Sequence, residues 1–310
     1  MRRPGPDPSS VRWPGPWTHH GVSANGIRLH VAECDGGRPL VVLLHGFPQL
    51  WWAWRHQLPA LAGHGYRVAA VDLRGYGDSD KPPRGYDLWT LAGDVAGLVR
   101  ALGEPRAHVV GHGWGGLIGW TVAALHPRLV RSLTVLGAPH PLAVRRAVLR
   151  GPRGQGRATA RYALRMQVPR LPERALVADE GAGAERIMRA WAGPEWAGSA
   201  DFADAMPRYR QAVRISGVAH CSAEYYRWAV RSQLRAEGRR FAAAVARAAE
   251  VPVLAVHGEV DPCVLVSTAA ASQEWVGHKH RLDVLPATGH FPHEERPAET
   301  TRLLADFLPD

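Results

Sequence analysis

The sequence predicts an α/β protein with a doubly wound, mostly parallel sheet and a large helical insertion. Short apolar runs alternate with helical segments at both ends of the chain, and the connections between them are short. This alternation is typical of a parallel sheet with helices on both faces. It stops between residues 141 and 247, where segments rich in Arg and Ala replace the strands. We predict a core of residues 19–140 and 248–310, with residues 141–247 as a helical cap.

The individual strands differ in their apolar pattern. Residues 27–32 alternate at period two, as expected for an antiparallel strand with one covered face. Residues 40–44 are apolar throughout, which predicts a central strand buried on both faces. Further strands are predicted at 68–72, 107–111, 132–136, 251–257 and 281–285. Residues 1–18 contain five prolines and little that could form a core, so we predict a flexible arm there.

The positive charge is carried by arginine. The formal net charge is +10, and only Lys81 and Lys279 are lysines. Residues 145–170 contain eight arginines, which fits either an anionic partner such as a membrane surface or an ordinary solvated basic face. No nucleic-acid motif and no interleaved aromatic residues accompany them, so we expect no nucleic-acid partner.

The cysteines and the chain ends predict a cytoplasmic protein. The three cysteines are too few and too scattered for a disulfide framework, and they show no metal-ligand spacing. The basic N-terminus lacks the apolar stretch of a signal peptide, and no apolar run approaches the length of a membrane span. We expect no metal and no other cofactor. The sequence does not indicate an oligomeric state.

A nucleophile elbow is the organising motif of the sequence. The apolar run of residues 107–110 ends in a glycine cluster and leads directly into a helix-compatible segment. In the G-x-Nu-x-G turn, the positions two before and two after the tip must be small, and Gly111 and Gly115 satisfy this. The tip is then Gly113. Glycine has no oxygen or sulfur that could attack a substrate, so a covalent intermediate cannot form at this position.

An acid and a histidine follow the elbow in the order of a catalytic triad. Asp261 and His290 each come directly after a predicted strand, and the carboxyl ends of parallel strands meet at one edge of the sheet. The carboxylate would fix the tautomer of the imidazole, which could then move protons or activate water. Two backbone N–H groups, those of Phe47 and Trp114, are candidates for an oxyanion hole.

The chain resembles the epoxide hydrolases of the α/β-hydrolase superfamily and, less closely, the haloalkane dehalogenases. The matching motifs are residues 45–49, 72–79, 111–112, 114–116, 261–262 and 289–291 in the core, with 162–173 and 225–228 in the cap. The resemblance implies an α/β-hydrolase fold with an inserted cap. In that family, an aspartate at the elbow tip attacks the epoxide to form an ester, and the His–Asp pair activates the water that cleaves this ester.

The family's two cap tyrosines, which hydrogen-bond the epoxide oxygen, correspond to Tyr162 and Tyr226, with Tyr225 as the less favoured choice. The family's aspartate has no counterpart, because Gly113 stands in its place. Loss of a covalent nucleophile typically removes on the order of a millionfold of rate. The ordinary mechanism is therefore not expected.

Three hypotheses follow for a small apolar substrate or ligand such as an epoxide or ester. The first is a hydrolase in which His290, oriented by Asp261, activates water for direct attack. The second is a non-hydrolytic enzyme that uses the same base, such as a lyase or a cofactor-free oxygenase. The third is a catalytically inactive protein that keeps the capped pocket for binding a small molecule.

Overall fold

A single eight-stranded sheet organises the protein. The structure is a computed structural model that describes residues 5–37, 39–150 and 154–308, without the side chain of Arg161. The strand order is β1-β2-β4-β3-β5-β6-β7-β8. Strand β2 is antiparallel to both of its neighbours, and the remaining pairs are parallel. The strands are β1 Thr18–Ala24, β2 Ile27–Asp35, β3 Leu40–Leu44, β4 Arg67–Val71, β5 Ala107–His112, β6 Val130–Leu136, β7 Val253–Gly258 and β8 His280–Leu285. The predicted fold class is confirmed.

Helices cover the sheet and fill the long segment between β6 and β7. The core helices are α1 Gln57–Gly63, α2 Leu88–Ala101, α3 Trp114–Leu125, α11 Val266–Ala270, α12 Pro292–Glu295 and α13 Pro297–Phe307. Between β6 and β7 lie α4 Pro141–Leu149, α5 Gln155–Ala163, α6 Leu171–Trp191, α7 Pro194–Ala197, α8 Ala200–Val213, α9 Val218–Arg231 and α10 Ala236–Ala244. Helix α6 is interrupted by non-helical backbone at residues 178–181. The exact limits of core and cap stay a prediction. Among the described residues, no helix is both long and apolar enough to cross a membrane.

The middle of the sheet is the hydrophobic centre of the core. Every residue of β3 is fully buried, as the unbroken apolar run predicts. Strand β8 lies at the sheet edge and is only partly covered. Because β3 to β8 run in one direction, the loops that follow them open on one side of the sheet. These loops contain residues 45–48, Gly113, Gly137, Asp261 and His290.

The N-terminal segment differs from its prediction, because residues 5–17 pack against the core. Val11 is fully buried, and its carbonyl accepts a hydrogen bond of 2.9 Å from the indole N–H of Trp51. The rings of Trp13 and Trp17 both contact Trp51 and Trp52. The prolines suggested flexibility, but two indole rings offer enough apolar surface to hold the segment in place. The flexible-arm prediction is wrong for these residues, and residues 1–4 lie outside the described part.

Candidate active site

The elbow has the backbone conformation and crowding that its motif predicts. Gly113 connects β5 to α3 with φ 51° and ψ −115°. A Cβ on Gly111 would lie 2.3 Å from the carbonyl oxygen of Gly115, and one on Gly115 would lie 2.2 Å from the carbonyl oxygen of Leu44. Both distances are far below van der Waals contact. The two flanking positions therefore require glycine for reasons of space alone.

The tip itself has room for a side chain. A Cβ added to Gly113 would lie 3.6 Å from the Cα of Gly46 and 3.6 Å from Nε2 of His290, which are ordinary contacts. The N–H of Gly113 donates to the carbonyl of Leu136 at 3.0 Å, so the turn is fixed to the neighbouring strand. The elbow thus keeps the geometry of a position that can hold a nucleophile.

His290 and Asp261 form the predicted contact beside the tip. Nδ1 of His290 lies 2.7 Å from Oδ2 of Asp261, and both side chains are buried. The other carboxylate oxygen accepts hydrogen bonds from the N–H groups of Cys263 and Val264 at 2.7 and 3.0 Å. An ionised carboxylate only accepts, so Nδ1 carries the proton and Nε2 of a neutral imidazole is free to accept one. Nε2 is the nitrogen that faces Gly113.

Three residues that hold His290 in place were missed by the sequence reasoning. The N–H of His290 donates to the carbonyl of Trp191 at 2.8 Å, and the two rings meet edge to face at 5.5 Å. Glu295 accepts from the N–H groups of Gly289 and Phe291, on either side of the histidine. Gly137 has φ +57°, and a Cβ there would lie only 3.2 Å from the ring of His290. Gly137 directly follows β6, but no sequence pattern indicated that this glycine contacts His290.

The two candidate oxyanion donors have no hydrogen-bond partner among the described residues. Trp114 is the first residue of α3, where a backbone N–H has no acceptor within the helix. Phe47 follows β3 in a loop, and its N–H makes no bond within residues 5–37, 39–150 and 154–308. Both residues line the same cavity as Gly113. They are suited to bind a developing negative charge.

The cap tyrosines separate into two kinds. Tyr162 and Tyr226 line the cavity with His290, and their rings lie 5.7 Å apart. Burial raises the pKa of both hydroxyls above the usual range, so both stay protonated and can donate at neutral pH. Tyr225 instead donates its hydroxyl hydrogen to the carbonyl of Arg74 at 2.7 Å. Tyr225 does not line the cavity, and the donor roles of Tyr162 and Tyr226 stay a prediction.

The cavity above the elbow has a volume of about 640 Å³ and mostly apolar walls. Aromatic rings surround the end that holds Gly113, and cap helices form the other end. The walls near the elbow include Phe47, Trp114, Tyr162, Trp191 and Tyr226. Such a space suits a small apolar ligand that presents one polar group to the buried donors and the base.

One group of side chains could in principle bind a metal ion. Asp261, Cys263 and His290 each offer a ligand atom, and these atoms lie within 4.8 Å of one another. Binding there would compete with the hydrogen bond between Asp261 and His290. Burial raises the pKa of the Cys263 thiol well above its usual range, which disfavours the thiolate that a metal needs. The donor set therefore fits the His–Asp pair better than a metal centre.

Comparison with known proteins identifies the family. Residues 39–297 match the model of the alpha/beta hydrolase fold family. Epoxide hydrolase 3 of Xenopus tropicalis is 33% identical over 298 residues, which cover 92% of this chain and 75% of that protein. Epoxide hydrolase A of Mycobacterium tuberculosis is 30% identical over 308 residues, covering 93% and 96%. The crystal structure of epoxide hydrolase VrEH1 from Vigna radiata matches with a TM-score of 0.77 and 26% identity, covering 94% and 97%. The chain belongs to the α/β-hydrolase family, within its epoxide-hydrolase-like group.

Proposed function

We propose that this protein is a hydrolase of the epoxide-hydrolase type that works without a covalent nucleophile. His290, oriented by Asp261, removes a proton from water, and the water oxygen attacks the substrate directly in front of Gly113. The substrate is a small apolar epoxide or ester. The observation that carries the proposal is the position of the free Nε2 of His290, 3.6 Å from where a Cβ of residue 113 would stand.

For an epoxide, the proposed reaction has one chemical step. The water oxygen bonds to a ring carbon while its proton passes to Nε2 of His290. The carbon–oxygen bond of the ring breaks, and the oxygen that leaves takes a proton from Tyr162 or Tyr226. The product is a diol, and the protonated His290 returns its proton to the tyrosine through solvent. The charge of Asp261 stabilises the imidazolium in between.

For an ester, the same base directs water to the carbonyl carbon. The proton of the water passes to Nε2 of His290, and the negative charge that develops on the carbonyl oxygen is stabilised by the N–H groups of Phe47 and Trp114. The bond from the carbonyl carbon to the alcohol oxygen then breaks, and the alcohol leaves with the proton that His290 returns. The tyrosines then have no required role. Dependence of the rate on Tyr162 and Tyr226 would therefore distinguish epoxide from ester hydrolysis.

Ligand binding without turnover is the second candidate function. It is favoured by the absence of any side chain on Gly113 together with a large apolar cavity. The retained hydrogen bond between His290 and Asp261 favours catalysis, because a binding protein has no need for an oriented base.

The test is a single-turnover reaction in ¹⁸O-labelled water with a panel of epoxides and aryl esters. Direct attack places the label in the product during the first turnover, and no ester to the protein forms. Stabilisation of the protein by a panel compound, without product from any member, would support binding instead. Label that enters the protein before the product would contradict direct attack.

A further inference from the structure

Three exposed leucines surround the opening of the cavity. Leu149, Leu164 and Leu234 are 74%, 60% and 91% exposed, and all three line the same cavity as His290. They come from separate segments: the end of α4, the residue after α5, and the short 3₁₀ helix before α10. Large apolar side chains that converge on one opening from three segments are unusual on a protein surface that meets only water.

Each of these leucines is followed directly by an exposed arginine. The arginines are Arg150, Arg165 and Arg235, and none forms a salt bridge among the described residues. Residues 141–172 contain no aspartate or glutamate, and the acid near Arg150 is Glu274, which already forms an ion pair with Arg146. Arg153 and the side chain of Arg161 lie outside the described part. We call the three leucines and the three arginines the mouth surface.

We propose that the mouth surface docks on an anionic lipid bilayer. The leucines enter the interface between headgroups and acyl chains, and the arginines meet the lipid phosphates. Apolar side chains beside basic ones are the combination by which peripheral proteins bind such membranes. The cavity then opens toward the acyl region, from which an apolar ligand can enter without crossing water. Docking is a binding property and holds whether or not the chain hydrolyses its ligand.

The charge of the mouth surface disfavours a second copy of the chain as the occupant. A symmetric contact places the same patch on both sides of the interface, which would bring the arginines of one copy against those of the other. A bilayer containing anionic lipids supplies the complementary charge over the whole patch. It also keeps the cavity supplied with apolar molecules, whereas a protein partner would close the opening.

The experiment is sedimentation of the full chain with vesicles. We expect binding to vesicles of phosphatidylcholine mixed with phosphatidylglycerol, weaker binding to pure phosphatidylcholine, and a decrease as salt rises. Leu234→Ser should lower the partition coefficient about tenfold, the factor for exposing one leucine side chain to water. Leu171→Ser is the matched control, because Leu171 is a 53% exposed cap leucine that does not line the cavity.

The arginines are tested by changing three to glutamine together: Arg150, Arg165 and Arg235. A control with the same net charge changes three exposed arginines of the core: Arg84, Arg100 and Arg128. The mouth variant should bind anionic vesicles about a hundredfold more weakly than the parent. Each arginine is expected to contribute about fivefold in affinity, and the three factors multiply. The core variant should bind nearly as well as the parent.

Two outcomes would overturn the proposal. The first is equal loss of vesicle binding in the mouth and core variants, which would show only a general effect of net charge. The second is absence of vesicle binding together with a dimer in solution that Leu234→Ser dissociates. That result would assign the mouth surface to a contact between two copies of the chain.

Discussion

The cavity has a core half, lined by Phe47, Gly113, Trp114, Gly137 and His290, and a cap half, lined by residues of the segment 141–247 such as Tyr162 and Tyr226. The two halves differ in how they are built. The core half is fixed by backbone hydrogen bonds of Gly113 to Leu136 and of Gly137 to Val256, and His290 is held to the cap by its bond to the carbonyl of Trp191. The cap half contains aromatic rings in edge-to-face contact and ends in exposed leucines, each followed by an exposed arginine. We therefore propose that the core half sets the chemistry and that the cap half sets ligand choice and entry. Gly113 supplies no side chain at the elbow tip, and its backbone links β5 to α3 with φ 51° and room for a Cβ.

The largest expected effect is removal of the base from the core half. His290→Gln should lower the rate of hydrolysis by about a thousandfold, within the usual range for general base catalysis. The control is His64→Gln, since His64 is exposed on the core surface. Steady-state rates on the best compound of the panel provide the measurement. An unchanged rate in His290→Gln would show that the His–Asp pair is not the base.

Removal of one donor from the cap half should have a smaller effect. Tyr162→Phe or Tyr226→Phe should slow epoxide hydrolysis by about a hundredfold, as for the loss of one donor to a developing oxyanion. Tyr225→Phe is a matched control. This variant loses the buried hydrogen bond to the carbonyl of Arg74, which should lower the free energy of unfolding by about 1 kcal/mol. We expect little effect on the rate of hydrolysis. If all three variants lose activity equally, the division between donor and structural tyrosines is wrong.

The core half was easier to predict from sequence than the cap half. Residues 40–44 predicted β3 because a strand buried on both faces is apolar throughout, and the glycines around residue 113 predicted the elbow from its crowding. Strand β1 was missed because most residues of Thr18–Ala24 are polar and only two of the seven are buried. Contacts between distant segments, such as Trp191 with His290, leave no local pattern and needed the three-dimensional structure.

Gly113 and Gly137 both lie beside His290 but differ in how closely they approach its ring. Gly113→Ala and Gly137→Ala both place a side chain at positive φ and should each cost about 1–2 kcal/mol of unfolding free energy. Only Gly137→Ala also pushes a methyl group against the ring of His290. We therefore expect Gly137→Ala to show the larger loss of stability and the larger shift of the His290 imidazole NMR signal. Equal effects in both would contradict the close packing of Gly137 on His290.

The smallest expected effect concerns pH. Burial lowers the pKa of His112 and His293 well below their usual value near 6.5. As pH falls below 6.5, these histidines become protonated in the unfolded chain but stay neutral in the folded protein. The free energy of unfolding therefore decreases. Each contributes a slope of up to about 1.4 kcal/mol per pH unit. His293→Gln should therefore show a shallower fall in urea midpoints between neutral and acidic pH. A slope identical to the parent would mean that His293 titrates normally in the folded protein.

A nucleophile placed at the elbow tip tests most directly our claim that the site lacks only the side chain of residue 113. Gly113→Asp has room for its Cβ at 3.6 Å from its neighbours, and the positive φ should cost about 1–2 kcal/mol. The measurement is mass spectrometry of the protein after single-turnover reaction with small epoxides, in Gly113→Asp and in the double variant with His290→Gln. We predict faster epoxide hydrolysis in the first and a trapped ester on Asp at position 113 in the second. A folded Gly113→Asp protein with neither turnover nor adduct would contradict the claim.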